Sequence, residues 1–312
     1  MLVSVVIPIY NEEENVEPLY SALKSVIEAE KNDYELLFVD DGSTDRTVQL
    51  LLPISKQDPR VRLLQFRRNF GKAAAWAAGF DHAGGDVVVT IDADLQNDPK
   101  DIPNLVALIG EYDVVNGWRR KRKDPFIIRR FPSIIANWLI SRVTGVKLRD
   151  YGSGLKAYKA EVVKNMNMYG EMHRFIPAVA SWYGVKIKEI ETTHHPRRRG
   201  KSKYGISRTL LVTLDLITIK FLQNYSTKPM QAFGPIGLLS GVSGFLINLY
   251  LAIEWFAGNR IGGRPLLLLG TLLIIVGILL VGMGLLGEML VSTHHEGLRK
   301  PLYVLKTTEG KN

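Results

Sequence analysis

The 312-residue chain contains no cysteine, which removes disulfides and thiolate-ligated metals and suits a reducing compartment. It also lacks a basic segment ahead of its first apolar run. That run, residues 3–9, is short and broken by Pro8, so it reads as a strand and not as a signal peptide. Charge is scarce toward the C-terminus: Ala232–Phe256 carries only Glu254, near its end, and Leu266–Leu286 carries none. Despite a formal net charge of +9, no nucleic-acid-binding motif is present. The basic residues gather at Arg119–Lys123, Arg129–Arg130 and Arg197–Lys203, which suits phosphates and lipid headgroups; a solvated charged face is the alternative for any single cluster.

What remains is an alternation. Residues 3–9 are an apolar, β-branched run of strand length, residues 35–39, 61–66, 86–91 and 112–117 read as further strands, and a helix over Lys72–Ala83 and another entered through Asn11–Asn15 separate them. Strands alternating with helices predict an α/β, mostly parallel sheet covered on both faces. In such sheets ligands sit beyond the C-terminal strand ends. Tyr10–Glu12, Asp40–Asp41 and Asp92–Asp94 each follow a strand, so all three are expected on one rim.

The two uncharged runs exceed the roughly 20 residues needed to cross a bilayer, with a buried core hairpin as the alternative. Glycines at three- and four-residue spacing (Gly234, Gly237, Gly241 and Gly244; Gly277, Gly282, Gly284 and Gly287) permit close helix packing, between subunits included, so a homo-oligomer through these helices is one expectation. Phe126–Val146 mixes an apolar stripe with arginines and Trp138, the pattern of an interfacial helix or of an ordinary core-facing one. Lys220, Lys228, Arg299, Lys300, Lys306 and Lys311 outnumber Arg260 and Arg264 of the connecting segment, which sets the flanks on the cytoplasmic side. The expected organisation is a cytoplasmic catalytic domain over 1–205 with 126–146 at the interface, a juxtamembrane helix over 206–230, two transmembrane helices within 231–291 and a cytoplasmic tail over 292–312.

Asp92-Ala93-Asp94 at a strand end can hold a donor with one carboxylate and a hard cation with the other, and Gln96 adds an oxygen ligand. Asp40 and Asp41 can accept from a base or ribose hydroxyl, or cap the following turn; one residue is expected for each job. Lys72 reads either as a phosphate ligand at a helix start or as an exposed lysine. His194-His195 and His294-His295 are assigned no chemistry, because adjacent side chains rarely converge on one ion.

Val-Ile-Pro-Ile-Tyr-Asn-Glu-Glu (6–13), Val-Asp-Asp-Gly-Ser-Thr-Asp (39–45) and Asp-Ala-Asp-Leu-Gln (92–96) resemble the motifs of glycosyltransferase family 2, which has the GT-A fold. Arg197-x-x-Gly200-x-Ser202-Lys203-Tyr204 resembles the polyisoprenyl-phosphate branch, related to dolichol-phosphate mannose synthase. The apolar spans resemble its GtrB-like bactoprenol glucosyltransferases. The resemblance implies inverting transfer from a UDP-sugar, glucose first, to polyprenyl (undecaprenyl-type) phosphate with Mg²⁺ or Mn²⁺, at the inner-membrane face and among membrane lipids. It implies that Pro8, Tyr10, Glu12, Asp40 and Asp41 hold the nucleotide, that Asp92 touches the donor and that Asp94 and Gln96 bind metal. Arg197 and Lys203 would face the phosphates, Arg119 and Arg129 the acceptor phosphate, and Asp150 would lie near the acceptor. A processive synthase is disfavoured because no Gln-x-x-Arg-Trp motif follows the catalytic core, and a non-catalytic scaffold because Asp92, Asp94, Gln96 and Arg197 occur together.

Overall fold

The computed structural model describes residues 1–120, 140–142, 144–164, 176–181, 184–196, 221, 225, 228–261, 263–296 and 305–309. The chain divides into two compact units, one of residues 1–217 with 301–312 and one of residues 218–300. Arg129, Arg197, Lys203 and most of Phe126–Val146 and 206–230 lie outside the described residues.

The first unit is built on strands β1 (Leu2–Ile9), β2 (Asp33–Asp40), β3 (Val61–Phe66), β4 (Val87–Thr90), β5 (Val114–Trp118), β6 (Lys156–Lys159), β7 (Ile187–Glu191) and β8 (Leu305–Glu309). They form one sheet in the order β7-β5-β6-β4-β1-β2-β3-β8. Parallel pairing joins β4, β1, β2 and β3, and also β5 and β7. The expected mostly parallel sheet is therefore present, with two departures. Strand β6 runs antiparallel between β4 and β5, and β8 pairs antiparallel with the edge strand β3. Neither strand carries the apolar run that marks β1 and β4.

Strand β1 is apolar on both faces because both are covered, as parallel sheets require. Val3, Val5, Ile7 and Ile9 pack with Leu36, Phe38, Val87 and Val89 and with Leu19 and Leu23 of α1 (Val16–Ala29). On the other face lies α3 (Lys72–His82), after α2 (Thr47–Gln57). Helix α3 buries Ala73, Ala74, Ala75 and Ala78. Its Gly79 lies so close to the sheet that a Cβ there would collide with the Val6 side chain, which explains the glycine at that position. A short 3₁₀ turn at Pro99–Asp101 leads into α4 (Ile102–Val106), and α5 (Ala160–Lys164) and α6 (Ile176–Ser181) follow β6.

The second unit contains α7 (Met230–Phe256) and α8 (Pro265–Glu296). Their apolar stretches of 27 and 23 residues span about 40 and 35 Å, more than the roughly 30 Å hydrocarbon thickness. Only 17% and 11% of their most apolar windows are buried, the opposite of a core hairpin. Leu239, Phe245, Ile253, Ile278 and Leu290 are among the large apolar side chains left exposed.

Four glycines bring the two helices into contact with each other. A Cβ on Gly237 would meet the Gly277 carbonyl oxygen at 2.9 Å, and one on Gly277 would meet the Gly241 backbone nitrogen at 2.7 Å. Gly244 and Gly270 face the partner helix in the same way. The Ser240 hydroxyl donates across to the Leu273 carbonyl at 2.8 Å. These small residues thus act inside the hairpin. Gly277→Leu is expected to force the helices apart and to cost about 1–3 kcal/mol. A lowered unfolding midpoint of the detergent-solubilised chain checks this; an unchanged midpoint would refute the packing.

Candidate active site

Parallel pairing sets the strand ends level. Ile9 is opposite Asp40, and Val6 is opposite Thr90, so the segments after β1, β2 and β4 emerge on the same rim. The chain moves from β1 outward through β2 and β3, then crosses back to β4 on the other side of β1. This is the reversal point at which open α/β sheets hold ligands. Because β6 is antiparallel, its entry segment 149–154 reaches that rim as well, as do the exits of β5 and β7.

At the β1–β2 end, Pro8 lies opposite Val39 one residue before the strand ends, and Tyr10 and Glu12 follow, half-buried. Asn11 takes a left-handed φ of 51°. Its N–H donates to Ser43 Oγ at 2.9 Å, and its side-chain oxygen accepts from Thr44 N–H at 2.8 Å. Glu12 N–H donates to Thr47 Oγ1 at 3.0 Å. The first two motifs are thereby stitched into one loop pair. Asp40, fully buried, accepts from Ser43 N–H at 3.2 Å. Asp41 turns the other way and accepts from the N–H groups of Phe70 at 2.7 Å and Gly71 at 3.0 Å. Burial pushes both carboxyls up, and these hydrogen bonds pull them partly back. Asp41 therefore ties down the entrance to α3, where Gly71 has the left-handed φ of 94° that favours glycine, and so delivers Lys72 to the rim.

Lys72 Nζ reaches Asp92 Oδ1 at 2.6 Å, so it is paired at the rim and not a freely solvated lysine. Burial alone would push the Asp92 carboxyl up; Lys72, with Arg119 and Lys156 behind it, outweighs burial and holds it below the usual carboxylate range. Asp92 also leans on Gly154, where an added Cβ would collide with the carboxylate. Leu95, with a φ of 58°, turns the chain so that Asp94 Oδ1 accepts from Gln96 N–H at 3.2 Å. A non-glycine residue in that region is strained, and such strain collects at functional turns.

On the other side, Arg119 grips Asp150 at two points, Nε to Oδ2 at 2.7 Å and Nη2 to Oδ1 at 2.9 Å. The turn behind Asp150 is held by Glu189, whose carboxylate accepts from the N–H groups of Arg149 and Asp150, both at 3.0 Å, and from Asn116 Nδ2 at 3.2 Å. His195 joins the rim too: its N–H donates to the Gln96 carbonyl at 2.8 Å, and its Nε2 lies 3.0 Å from Asp98 Oδ2. The segment entering residues 197–203 is therefore pinned to the Asp92–Gln96 turn.

Of the residues singled out from sequence, Pro8, Tyr10, Glu12, Asp40, Asp41, Asp92, Asp94, Gln96, Arg119 and Asp150 all come to this one rim. Sequence reasoning missed Lys156, Gly154, Glu189 and the docking role of His195. A lysine between two small or apolar neighbours just after a Gly-Ser-Gly run was the available signal for the first two.

Residues 4–166 match glycosyl transferase family 2. A dodecaprenyl-phosphate galacturonate synthase of Rhizobium johnstonii is 43% identical over 311 residues, covering 97% of this chain and 91% of the relative. The chain belongs to glycosyl transferase family 2. An undecaprenyl-phosphate 4-deoxy-4-formamido-L-arabinose transferase of Shewanella sediminis is 36% identical, over 97% of this chain and 91% of its own length. Among solved structures, glucosyl-3-phosphoglycerate synthase from Mycobacterium tuberculosis, in complex with Mn²⁺ and UDP-glucose, superposes with a TM-score of 0.53 at 19% identity, covering 71% of this chain and 78% of that one. At that identity the likeness shows the fold, and the fold is the family's GT-A arrangement.

The family implies a divalent cation. Asp94 and Gln96 offer hard oxygen donors at the turn after β4, a set that suits Mg²⁺ or Mn²⁺ and no soft metal. Among the described residues, no three His, Cys, Asp or Glu side chains are grouped to hold a metal by themselves. The site fits a cation that shares its shell with an oxygen-rich ligand such as a diphosphate.

Proposed function

We propose that the chain transfers a sugar from a UDP-linked donor to the phosphate of a polyprenyl phosphate, with inversion, at the cytoplasmic face of the inner membrane. The observation that carries the reading is the convergence of Asp40, Asp92, Asp94 and the Arg119–Asp150 pair on one rim, in a chain that also has two helices long enough to cross a bilayer. Polyprenyl-phosphate transferases are similar to it along 97% of its length, the two apolar helices included.

In this reading Pro8, Tyr10, Glu12 and Asp40 line the nucleotide crevice, and Asp92 orients the donor sugar against Lys72. Asp94 and Gln96 would hold Mg²⁺ or Mn²⁺, which when bound neutralises the departing diphosphate. A phosphate oxygen of the acceptor forms the new bond to the anomeric carbon, and the bond from that carbon to UDP breaks. The attacking oxygen is already anionic at neutral pH, so no residue must remove a proton. Asp150, gripped by Arg119, then serves to orient that guanidinium toward the acceptor, with Arg129, Arg197 and Lys203 completing a cationic path. Positioning and charge supply the rate enhancement.

For the donor sugar we put a hexuronate ahead of glucose. Neither relative named above is a glucosyltransferase, and identity to the galacturonate synthase is 43% against 36% for the formamidoarabinose transferase. The domain reading is part of the proposal: 1–205 catalytic, 206–230 juxtamembrane, 231–291 anchoring and 292–312 returning to the cytoplasm. Pairing of β8 with β3 supports it, since two crossings return the chain to the side it left. A panel of UDP-sugars offered with polyprenyl phosphate and Mn²⁺, read by mass spectrometry of the lipid product, tests the donor; UDP-galacturonate is expected to give the largest yield.

A further inference from the structure

Lys156 opens β6 and is only 1% exposed, yet the reaction outlined above gives it no task. Its ammonium donates to the Tyr151 carbonyl at 3.2 Å and sits 5.8 Å from the centre of the Trp76 ring. The Lys72 ammonium lies over the same indole at 5.5 Å while pairing with Asp92. Burial brings Lys156 down to about 7; Asp150 and then Asp92 pull it back up, while Lys72 and Arg119 oppose them. A buried ammonium with one neutral carbonyl partner is costly, and a chain that needed only to fill space there would do better with methionine. The two carboxylates that favour its charged form belong to opposite halves of the site. Asp92 stands with Lys72 on the donor side, and Asp150 stands with Arg119 on the acceptor side.

We propose that Lys156 is a positioning residue: bonded to the Tyr151 carbonyl next to the acceptor-side Asp150, and sharing the Trp76 ring with the Lys72 that pairs with the donor-side Asp92, it holds the two halves of the site in transfer alignment. This rests on the reading of the rim as a glycosyl-transfer site. Lys156 is too buried to touch either substrate, so its loss acts on the transfer step and leaves substrate binding in place.

The test is steady-state kinetics of the full chain in detergent micelles, varying donor and polyprenyl phosphate separately, with Lys156→Met, Lys156→Gln and Lys156→Arg. Methionine and glutamine are expected to lower kcat by about 10–100-fold, as a misalignment near 1 Å does, with either KM changed less than threefold. Glutamine can still donate to the Tyr151 carbonyl, so it separates the hydrogen bond from the charge. Arginine is expected to recover at least a tenth of wild-type kcat. Wild-type kcat in the glutamine variant, or losses in all three that only track the folded fraction seen in thermal unfolding, would overturn the proposal. If the wild-type chain forms no lipid-linked sugar from any donor, the functional reading fails separately. Lys156 is then judged on UDP release from the donor by water, where the same loss and the same rescue by arginine are expected and their absence overturns it.

Discussion

Gly154→Ala is expected to lower kcat about 100-fold or more while the protein stays folded. The added methyl would stand where the Asp92 carboxylate now lies, since all three terminal atoms of Asp92 are its nearest neighbours. The carboxylate is the movable party: it is half-buried and hinged at one side chain, whereas Gly154 is fixed by its carbonyl, which accepts from the buried Thr90 hydroxyl at 3.0 Å. Swinging Asp92 away breaks its 2.6 Å pairing with Lys72 and removes the donor-side carboxylate from the rim. Gly152→Ala is the comparison. Its Cβ would come no nearer than 3.2 Å to Arg119 and 3.6 Å to Asp150, a contact that a guanidinium can relieve, so a loss under tenfold is expected. The mechanism also predicts non-additivity. Adding Gly154→Ala to Asp92→Ala should cost nothing further, because the clash has no second partner left. Full additivity in that double variant would show that Gly154 acts through something other than Asp92.

Asp94→Ala carries the second large effect: transfer is expected to fall at least 1,000-fold, the scale at which a charge-stabilising group is lost from an active site. Alanine removes an oxygen offered to the cation and also the acceptor for Gln96 N–H, so the strained turn at Leu95 relaxes with it. Asp94→Asn separates the two losses. Its side-chain oxygen can still accept from Gln96, yet it carries no charge, so the asparagine variant is expected to keep the turn and to need more Mn²⁺ for half-maximal rate. If asparagine equals wild type at every Mn²⁺ concentration, the cation does not depend on Asp94.

Much of this architecture is legible in the chain because parallel, twice-covered strands are predominantly apolar, and residues 3–9 and 36–39 and most of 61–66 are. Their polar exits then declare the rim without any knowledge of tertiary contacts. Strand β6 hides for the opposite reason: lysine occupies two of the four positions of Lys-Ala-Tyr-Lys, one buried at the site floor and one paired with Asp113 at 2.6 Å. Strand β8 is a short edge strand whose partner, β3, lies more than 200 residues away, and nothing local announces that pairing. The same division holds in the site. Which residues reach the rim follows from where strands end, but the couplings of Lys72 with Asp92, Arg119 with Asp150 and His195 with Asp98 join segments from 20 to 97 residues apart. Of the glycines read as contact residues, Gly237, Gly244 and Gly277 meet the neighbouring helix of the same chain, joined by Gly270, whereas a Cβ on Gly241 or Gly282 would meet open space.

The central claim is that an anionic lipid phosphate receives the sugar. The direct measurement incubates the purified full-length chain with UDP-[¹⁴C]galacturonate, Mn²⁺ and undecaprenyl phosphate, then partitions the label between water and organic solvent, with undecaprenol and with the Asp94→Ala variant as controls. The account predicts label in the organic phase with the phosphate only, released by mild acid as free sugar and absent with the variant. Label that stays in the aqueous phase for this donor and for every other UDP-sugar tried, or that transfers equally well to undecaprenol, would contradict it.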